Sequence, residues 1–277
     1  MPCLVCGNFR LTLDRPLIMG IVNLTLDSFS GDGLAAGDLQ QAVERGLRLI
    51  EEGADLLDIG GESSRPGALP VSIEEELARV IPLVERLSDC GVPLSVDTVK
   101  PAVMHAAIVA GASMINDINA LCAPGALECV AGSNAAVCLM HKQGDPASMQ
   151  LCPEYADVVG EVQSYLAERA RAAEQAGIAR ERIVIDPGFG FGKTLEHNIA
   201  LFRHLEQLGG RSDVRLPLLV GVSRKSMLGQ ITGQSVGQRQ HASVAAAMLA
   251  AQRGASILRV HDVAATRDAL AVLKALT

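Results

Sequence analysis

The chain has 277 residues, 49% of them hydrophobic but only 3% aromatic, and a formal net charge of -7. That supplies a large Leu/Ile/Val/Ala/Met core, and the acidic balance argues against a nucleic-acid binder. No run approaches the roughly 18 apolar residues of a membrane span. The N-terminus MPCLVCGNF also lacks the basic and apolar regions of an export signal. The expectation is a cytoplasmic protein with no membrane partner. Seven cysteines are scattered along the chain. Cys3 and Cys6 form a lone C-x-x-C without a second pair, so strand residues in a reducing compartment are favoured over a zinc or redox site.

Residues 1–16 read as a hairpin, with Cys3–Val5 and Phe9–Leu13 flanking Gly7-Asn8 and Pro16 ending the excursion. A long alternation follows over 17–277. The strands are Leu17–Asn23, Leu56–Ile59, Leu94–Asp97, Met114–Asp117, Ala136–Met140, Ile183–Asp186, Leu218–Val222 and Ile257–Val260. Each is short and mostly apolar, as strands buried on both faces are. Helical patterns lie between them at Leu39–Glu52, Pro101–Ala110, Ala126–Ala131, Tyr155–Ala176, Leu195–Leu208 and His241–Arg253. Ser72-Ile-Glu-Glu75 reads as a capping box opening another helix, Thr194 as a cap, and Asp262 as the cap of a last helix to about Leu276. Gly53-Ala54-Asp55, Gly111-Ala112-Ser113 and Gly254-Ala255-Ser256 each end a helix and start a strand. This weak repeat and the eight β-α units predict a single-domain α/β (β/α)8 barrel. A doubly wound open sheet is the alternative, and it would need a glycine fingerprint that Asn23-Leu24-Thr25 does not supply.

In such a barrel the site lies at the C-terminal strand ends. There the sequence places Asn23, Asp58, Asp97, Asn116, Met140 with His141, Asp186, Ser223 with Arg224 and Lys225, and Arg259 with His261. Asp97, Asn116 and Asp186 suit a heterocycle presenting several N–H and ring-nitrogen positions. The loop Leu56 to Pro66, LLDIGGESSRP, offers hydroxyls and Arg65 to an anion. Arg65, Arg259 and His261 suit phosphate oxygens, and Arg259 and His261 share a strand face. An internal ion pair between Arg259 and an aspartate is the competing reading, and a solvated side chain is that for Lys225. Pro187-Gly-Phe-Gly-Phe-Gly-Lys-Thr194 fails the P-loop template at Pro187. It reads instead as a glycine loop carrying Phe189 and Phe191 as aromatic surfaces. No nucleophile elbow or Cys–His pair is found. The residues point to a barrel enzyme binding a polar heterocycle with a phosphate ester and a divalent cation.

Seven stretches in order match one family: Met19–Ser30, Asp58–Gly67, Ser95–Thr98, Ile115–Asp117, Asp186–Lys193, Ser223–Ser226 and Arg259–Asp262. Over essentially its whole length the chain resembles dihydropteroate synthase. The resemblance implies a transferase of folate biosynthesis that condenses a dihydropterin pyrophosphate with 4-aminobenzoate by a dissociative route. It also implies Mg²⁺ as cofactor, sulfonamides as inhibitors and a homodimer. By motif, Asp97, Asn116, Met140, Asp186 and Lys225 would hold the pterin. Asn23, Ser64, Arg65, Arg259 and His261 would hold the pyrophosphate, with Asn23 on the metal. Phe29, Pro66, Phe191, Ser223 and Lys225 would border the aminobenzoate, and Asp186, Lys225, Arg259 and His261 would be the catalytic set. The chain departs from the family pattern at Leu26, Gly31-Asp32 and Ser64. A non-catalytic pterin-binding relative is the alternative, resting on the altered Gly31-Asp32 loop.

Overall fold

Short apolar runs separated by helix-length segments bury both faces of a strand when they pair in a parallel sheet covered by helices. The computed structural model describes residues 3–24, 39–63, 70–145, 148–209 and 216–277. An antiparallel hairpin, β1 (Cys3–Cys6) and β2 (Phe9–Thr12), precedes the barrel strand β3 (Leu17–Asn23). Then come α1 (Leu39–Glu51), β4 (Leu56–Gly60), α2 (Ile73–Leu87), β5 (Leu94–Asp97), α3 (Pro101–Ala110), β6 (Met114–Asp117), α4 (Ala126–Ala131) and β7 (Ala136–Met140). The second half runs α5 (Val158–Gln175), β8 (Ile183–Asp186), α6 (Leu195–Arg203), α7 (Leu205–Leu208), β9 (Leu219–Val220), α8 (Ser226–Thr232), α9 (Gln240–Gln252), β10 (Ile257–Val260) and α10 (Val263–Leu276).

Strands β3 to β10 form a parallel eight-stranded sheet in the order β8-β7-β6-β5-β4-β3-β10-β9. A parallel bridge between Ile185 and Leu218 joins β8 to the segment entering β9, which closes the sheet into a barrel. The (β/α)8 expectation is met. Because strand side chains alternate, Ile18, Val22, Leu57 and Ile59 face the helix ring and belong to the larger apolar cluster. Leu17, Met19, Leu56, Met114, Cys138, Val184 and Ile257 face inward in a second cluster with Leu4 and Cys6 of the hairpin. The hairpin therefore stoppers the N-terminal end, with the Gly7 N–H donating to the Asn134 carbonyl at 2.9 Å.

The glycine repeat has a structural meaning. Gly53, Gly111 and Gly254 take φ of 107, 117 and 88°. The next N–H returns to the helix in each case, Ala54 to Leu49, Ala112 to Ala107 and Ala255 to Ala250. This is a left-handed C-cap that reverses the chain from helix to strand.

Several boundaries differ from the sequence reading, each for a local reason. Helix α5 starts at Val158 rather than Tyr155, because Asp157 is its cap and accepts from the Val159 N–H. The predicted 195–208 helix breaks at His204, whose ring lies 2.8 Å from the Ala200 carbonyl. Strand β9 keeps only Leu219–Val220, and a helix at Ser226–Thr232 was not foreseen. Thr194 caps α6 in a full capping box with His197. Ser72 accepts from the Glu75 N–H, but the Glu75 carboxylate turns to Arg79. Asp262 makes no side-chain cap and pairs instead with Arg224 at 2.8 Å.

Candidate active site

Toward the C-terminal end of five strands the inward face carries a charged or amide side chain. Leu56 is followed by Asp58, Ser95 by Asp97, Met114 by Asn116, Val184 by Asp186 and Ile257 by Arg259. All of these strand-end residues but Asp58 reach one cavity of about 550 Å³, lined among others by Asn23, Asp97, Asn116, Met140, Asp186, Phe191, Ser223, Lys225, Arg259 and His261. The sequence therefore placed these ten predicted residues on one site. Phe29, Ser64, Arg65 and Pro66 lie outside the described residues, as do Leu26 and Gly31-Asp32.

An ion-pair network supports the cavity. Arg259 Nε donates to Asp58 Oδ2 at 2.5 Å, and its Nη2 donates to Asp97 Oδ2 at 3.0 Å. Asn116 Nδ2 donates to the same Asp58 oxygen at 3.2 Å. The internal ion pair considered from sequence is thus present, and it involves two carboxylates. Asp58, fully buried, anchors Arg259 rather than facing a ligand. Burial works against the Arg259 charge, but Asp58 and Asp97 outweigh it and raise its pKa. Burial also lifts Asp97 to about 7 despite the opposing pull of Arg259. The Asn116 Oδ1 is buried with no hydrogen-bond partner. An unpartnered amide oxygen on a cavity wall is a costly arrangement unless a ligand donor meets it.

The second wall carries Asp186 and Lys225. Burial raises Asp186, opposed by Lys225 and by the Gly188 N–H, which donates to Asp186 Oδ1 at 2.7 Å. Burial lowers Lys225 to about 8, with Asp186 pulling the other way. Arg224 sits in the left-handed region at φ 59°, which swings the chain so that Lys225 enters the cavity just before α8. Lys225 Nζ donates to the Phe189 carbonyl at 2.5 Å and lies 4.6 Å from the Phe191 ring centroid. His261 Nδ1 lies 2.9 Å from Ser223 Oγ. Phe189 corrects one expectation: its ring is fully buried against Phe202, and only its backbone addresses the site. Phe191 alone of the pair presents its ring there.

Sequence reasoning missed Gln150 and Arg239 on the cavity wall, the anchoring part of Asp58, and the buried pair Lys193–His141. Asp58 was on the strand-end roster, but nothing in its spacing separates a ligand contact from a support for Arg259. Lys193 carried one signal, a lysine closing a glycine run.

A (β/α)8 barrel whose C-terminal rim surrounds a cavity with buried carboxylates, an unpartnered amide and confined cations is an enzyme of small polar substrates. A family model described as pterin binding enzyme matches residues 19–261. The chain is 52% identical to a dihydropteroate synthase of Neisseria meningitidis serogroup C, over 98% of this chain and 96% of that protein. Its structure resembles that of Burkholderia cenocepacia dihydropteroate synthase complexed with 7,8-dihydropteroate, with TM-score 0.91, 53% identity, and 99% and 96% of the two chains covered. It also resembles a Yersinia pestis dihydropteroate synthase in a sulfonamide drug complex, with TM-score 0.94, 48% identity, and 99% and 98% covered. The chain belongs to the pterin-binding enzyme family, among the dihydropteroate synthases.

Proposed function

We infer that this barrel condenses 6-hydroxymethyl-7,8-dihydropterin pyrophosphate with 4-aminobenzoate, giving 7,8-dihydropteroate and pyrophosphate. The observation that carries the site reading is the Asn116 Oδ1 without a partner, set between Asp97 and Asp186 on the cavity wall. Two carboxylates and an amide oxygen match the N–H edge of a pterin, and Met140 supplies an apolar contact. Arg259 has five N–H donors. Two hold Asp58 and Asp97, and the others are assigned to the pyrophosphate with His261, Asn23, Ser64 and Arg65. Phe191, Ser223 and Lys225, with Phe29 and Pro66, are assigned to the aminobenzoate.

The chemistry asks little of a general base. Pyrophosphate departs once cations offset its developing charge, and the electron-rich pterin stabilises the methylene cation left behind. Asp186 is assigned to offset the cation's charge, and Lys225, on the same wall, to orient the pterin. The arylamine then attacks the cation, and its nitrogen loses a proton.

A Mg²⁺ site fits the donors at hand. Asn23 offers a neutral amide oxygen at the cavity edge, and Gly60, in register between Asn23 and Asp97, leaves space beside it. Among the described residues no group of three or more His, Cys, Asp or Glu could hold a metal. Phosphate and water oxygens would therefore complete the shell, as suits this hard ion. When bound, the ion adds positive charge at the leaving pyrophosphate. Among the described residues no helix is long and apolar enough to cross a membrane. The family resemblance supports a cytoplasmic homodimer, and the Yersinia pestis complex supports sulfonamides as competitors of 4-aminobenzoate.

The test is pyrophosphate release with dihydropterin pyrophosphate, Mg²⁺ and 4-aminobenzoate, each omitted in turn. Release that tracks dihydropteroate formation and is lost in Lys225→Ala is expected. Pterin binding without turnover would overturn the reading.

A further inference from the structure

Lys193 is buried, 3% exposed, and makes no bond to a carboxylate among the described residues. Its Nζ lies 2.9 Å from the Gly188 carbonyl, 3.0 Å from the Phe191 carbonyl and 3.0 Å from His141 Nδ1. An ammonium has three donors, and all three are used. We propose that Lys193 is a positioning residue for the transfer reaction: by gathering the Gly188 and Phe191 carbonyls onto the His141 ring, it holds the glycine loop in the shape that sets the Phe189 carbonyl and the Phe191 ring around the Lys225 ammonium. The proposal rests on the synthase reading for what Lys225 does, but not for the clamp itself.

The loop's own backbone supports this. Its five consecutive carbonyls each accept from a side chain: Gly188 from Lys193, Phe189 from Lys225, Gly190 from Gln150, Phe191 from Lys193 and Gly192 from Tyr155. Gly188, Gly190 and Gly192 take φ of 67, 80 and 62°. A Cβ on Gly188 would stand 1.9 Å from the His141 carbonyl, and one on Gly192 would stand 2.3 Å from that of Gln143. The loop is thus pressed against the segment after β7 in a conformation that glycine permits but does not enforce. Side chains must enforce it, and Lys193 is the only one of the four donors that holds two of the five carbonyls.

The clamp also survives a change of proton count. Burial lowers Lys193 to about 7 and His141 to about 3, so the ring is neutral. A neutral imidazole can accept at Nδ1 from an ammonium or, as the other tautomer, donate to an amine. Either way the two carbonyls keep their donors. Asp186, which pulls Lys193 up, and Lys225, which pushes it down, are the charged groups acting on it.

The experiment uses the full chain and Lys193→Met, which keeps the stem and removes the donors. Wild-type turnover alone judges the synthase reading; amide exchange of residues 188–192 judges the clamp whether or not turnover is found. In Lys193→Met, exchange across 188–192 is expected to quicken while Ile183–Asp186 is unchanged. The KM for 4-aminobenzoate should rise about tenfold, the size of one charge-assisted hydrogen bond, with KM for the pterin substrate within about threefold. Should Lys193→Met not fold, His141→Gln removes the ring, one of four acceptors around Lys193 Nζ, and is expected to shift both readouts the same way by a smaller amount. Unchanged exchange and unchanged KM in a folded variant overturn the proposal. So does an equal loss toward both substrates that follows the folded fraction, as a merely structural lysine would give.

Discussion

The two ends of the barrel are built from the same strands and do opposite things. At the floor, Leu17, Met19, Leu56, Met114, Val184 and Ile257 pack with Leu4 and Cys6 of the hairpin, without a charge among them. Two residues further along those strands stand Asp58, Asn116, Asp186 and Arg259. The floor gains stability from apolar burial. The rim buries charge, which costs desolvation unless each group is paired. Within one barrel, the lower layer holds the strands together, and the upper layer is held in place by it.

Four experiments break or sharpen that contrast. The largest effect is expected from Asp58→Ala, which leaves Arg259 without the carboxylate that anchors its Nε. Loss of one buried partner costs about 3–5 kcal/mol, read as a fall in the urea midpoint. Next, Asp186→Asn keeps the bond from the Gly188 N–H but removes the charge proposed to offset the methylene cation. Turnover should fall by roughly 10²–10³ while the melting temperature holds and pyrophosphate binding weakens less. Equal losses in binding and turnover would count against the assigned role. At the floor, Met19→Ala should cost about 2 kcal/mol or more but leave kcat per folded molecule unchanged. Last, the rim should respond to pH. Lys225 is charged below about 8 and loses its proton above it, so free-enzyme kcat/KM for the pterin substrate should decline as pH rises through 8. Lys225→Arg, if active, should move that limb upward, since a guanidinium keeps its proton.

Most of the fold was legible because it rests on local patterns. Short apolar runs, glycine stops and strand-end polar residues repeat at barrel spacing, and seven of the eight barrel strands were placed within one residue. Strand β9 was overdrawn because Leu218 makes only an isolated bridge, and Gly221 and Val222, small or apolar, leave the sheet early as the chain turns toward Arg224. At the site, the residue types named the ligand chemistry, but partnership was hidden. Asp58 and Asp97 meet Arg259 across 201 and 162 residues, and no spacing rule reaches that far. The loop pattern alone treated Phe189 and Phe191 alike, and only the family motif set Phe191 apart. The positive φ of Gly188, Gly190 and Gly192 sends one ring into the core and the other to the cavity.

The hairpin beneath the barrel has a consequence for traffic. With Leu4 and Cys6 wedged among the inward side chains, the described residues close the N-terminal end of the barrel and leave the cavity at the other. Whatever seats against Asp97, Asn116 and Asp186 comes to rest on the inner ledge, and a molecule beside Phe191 and Lys225 stands nearer the exit. Ordered addition, the heterocycle before the arylamine, is the kinetic pattern this layout leads one to expect, and binding of 4-aminobenzoate at full affinity without the pterin would speak against it. The joined product, filling both places, would have to withdraw whole from the same end.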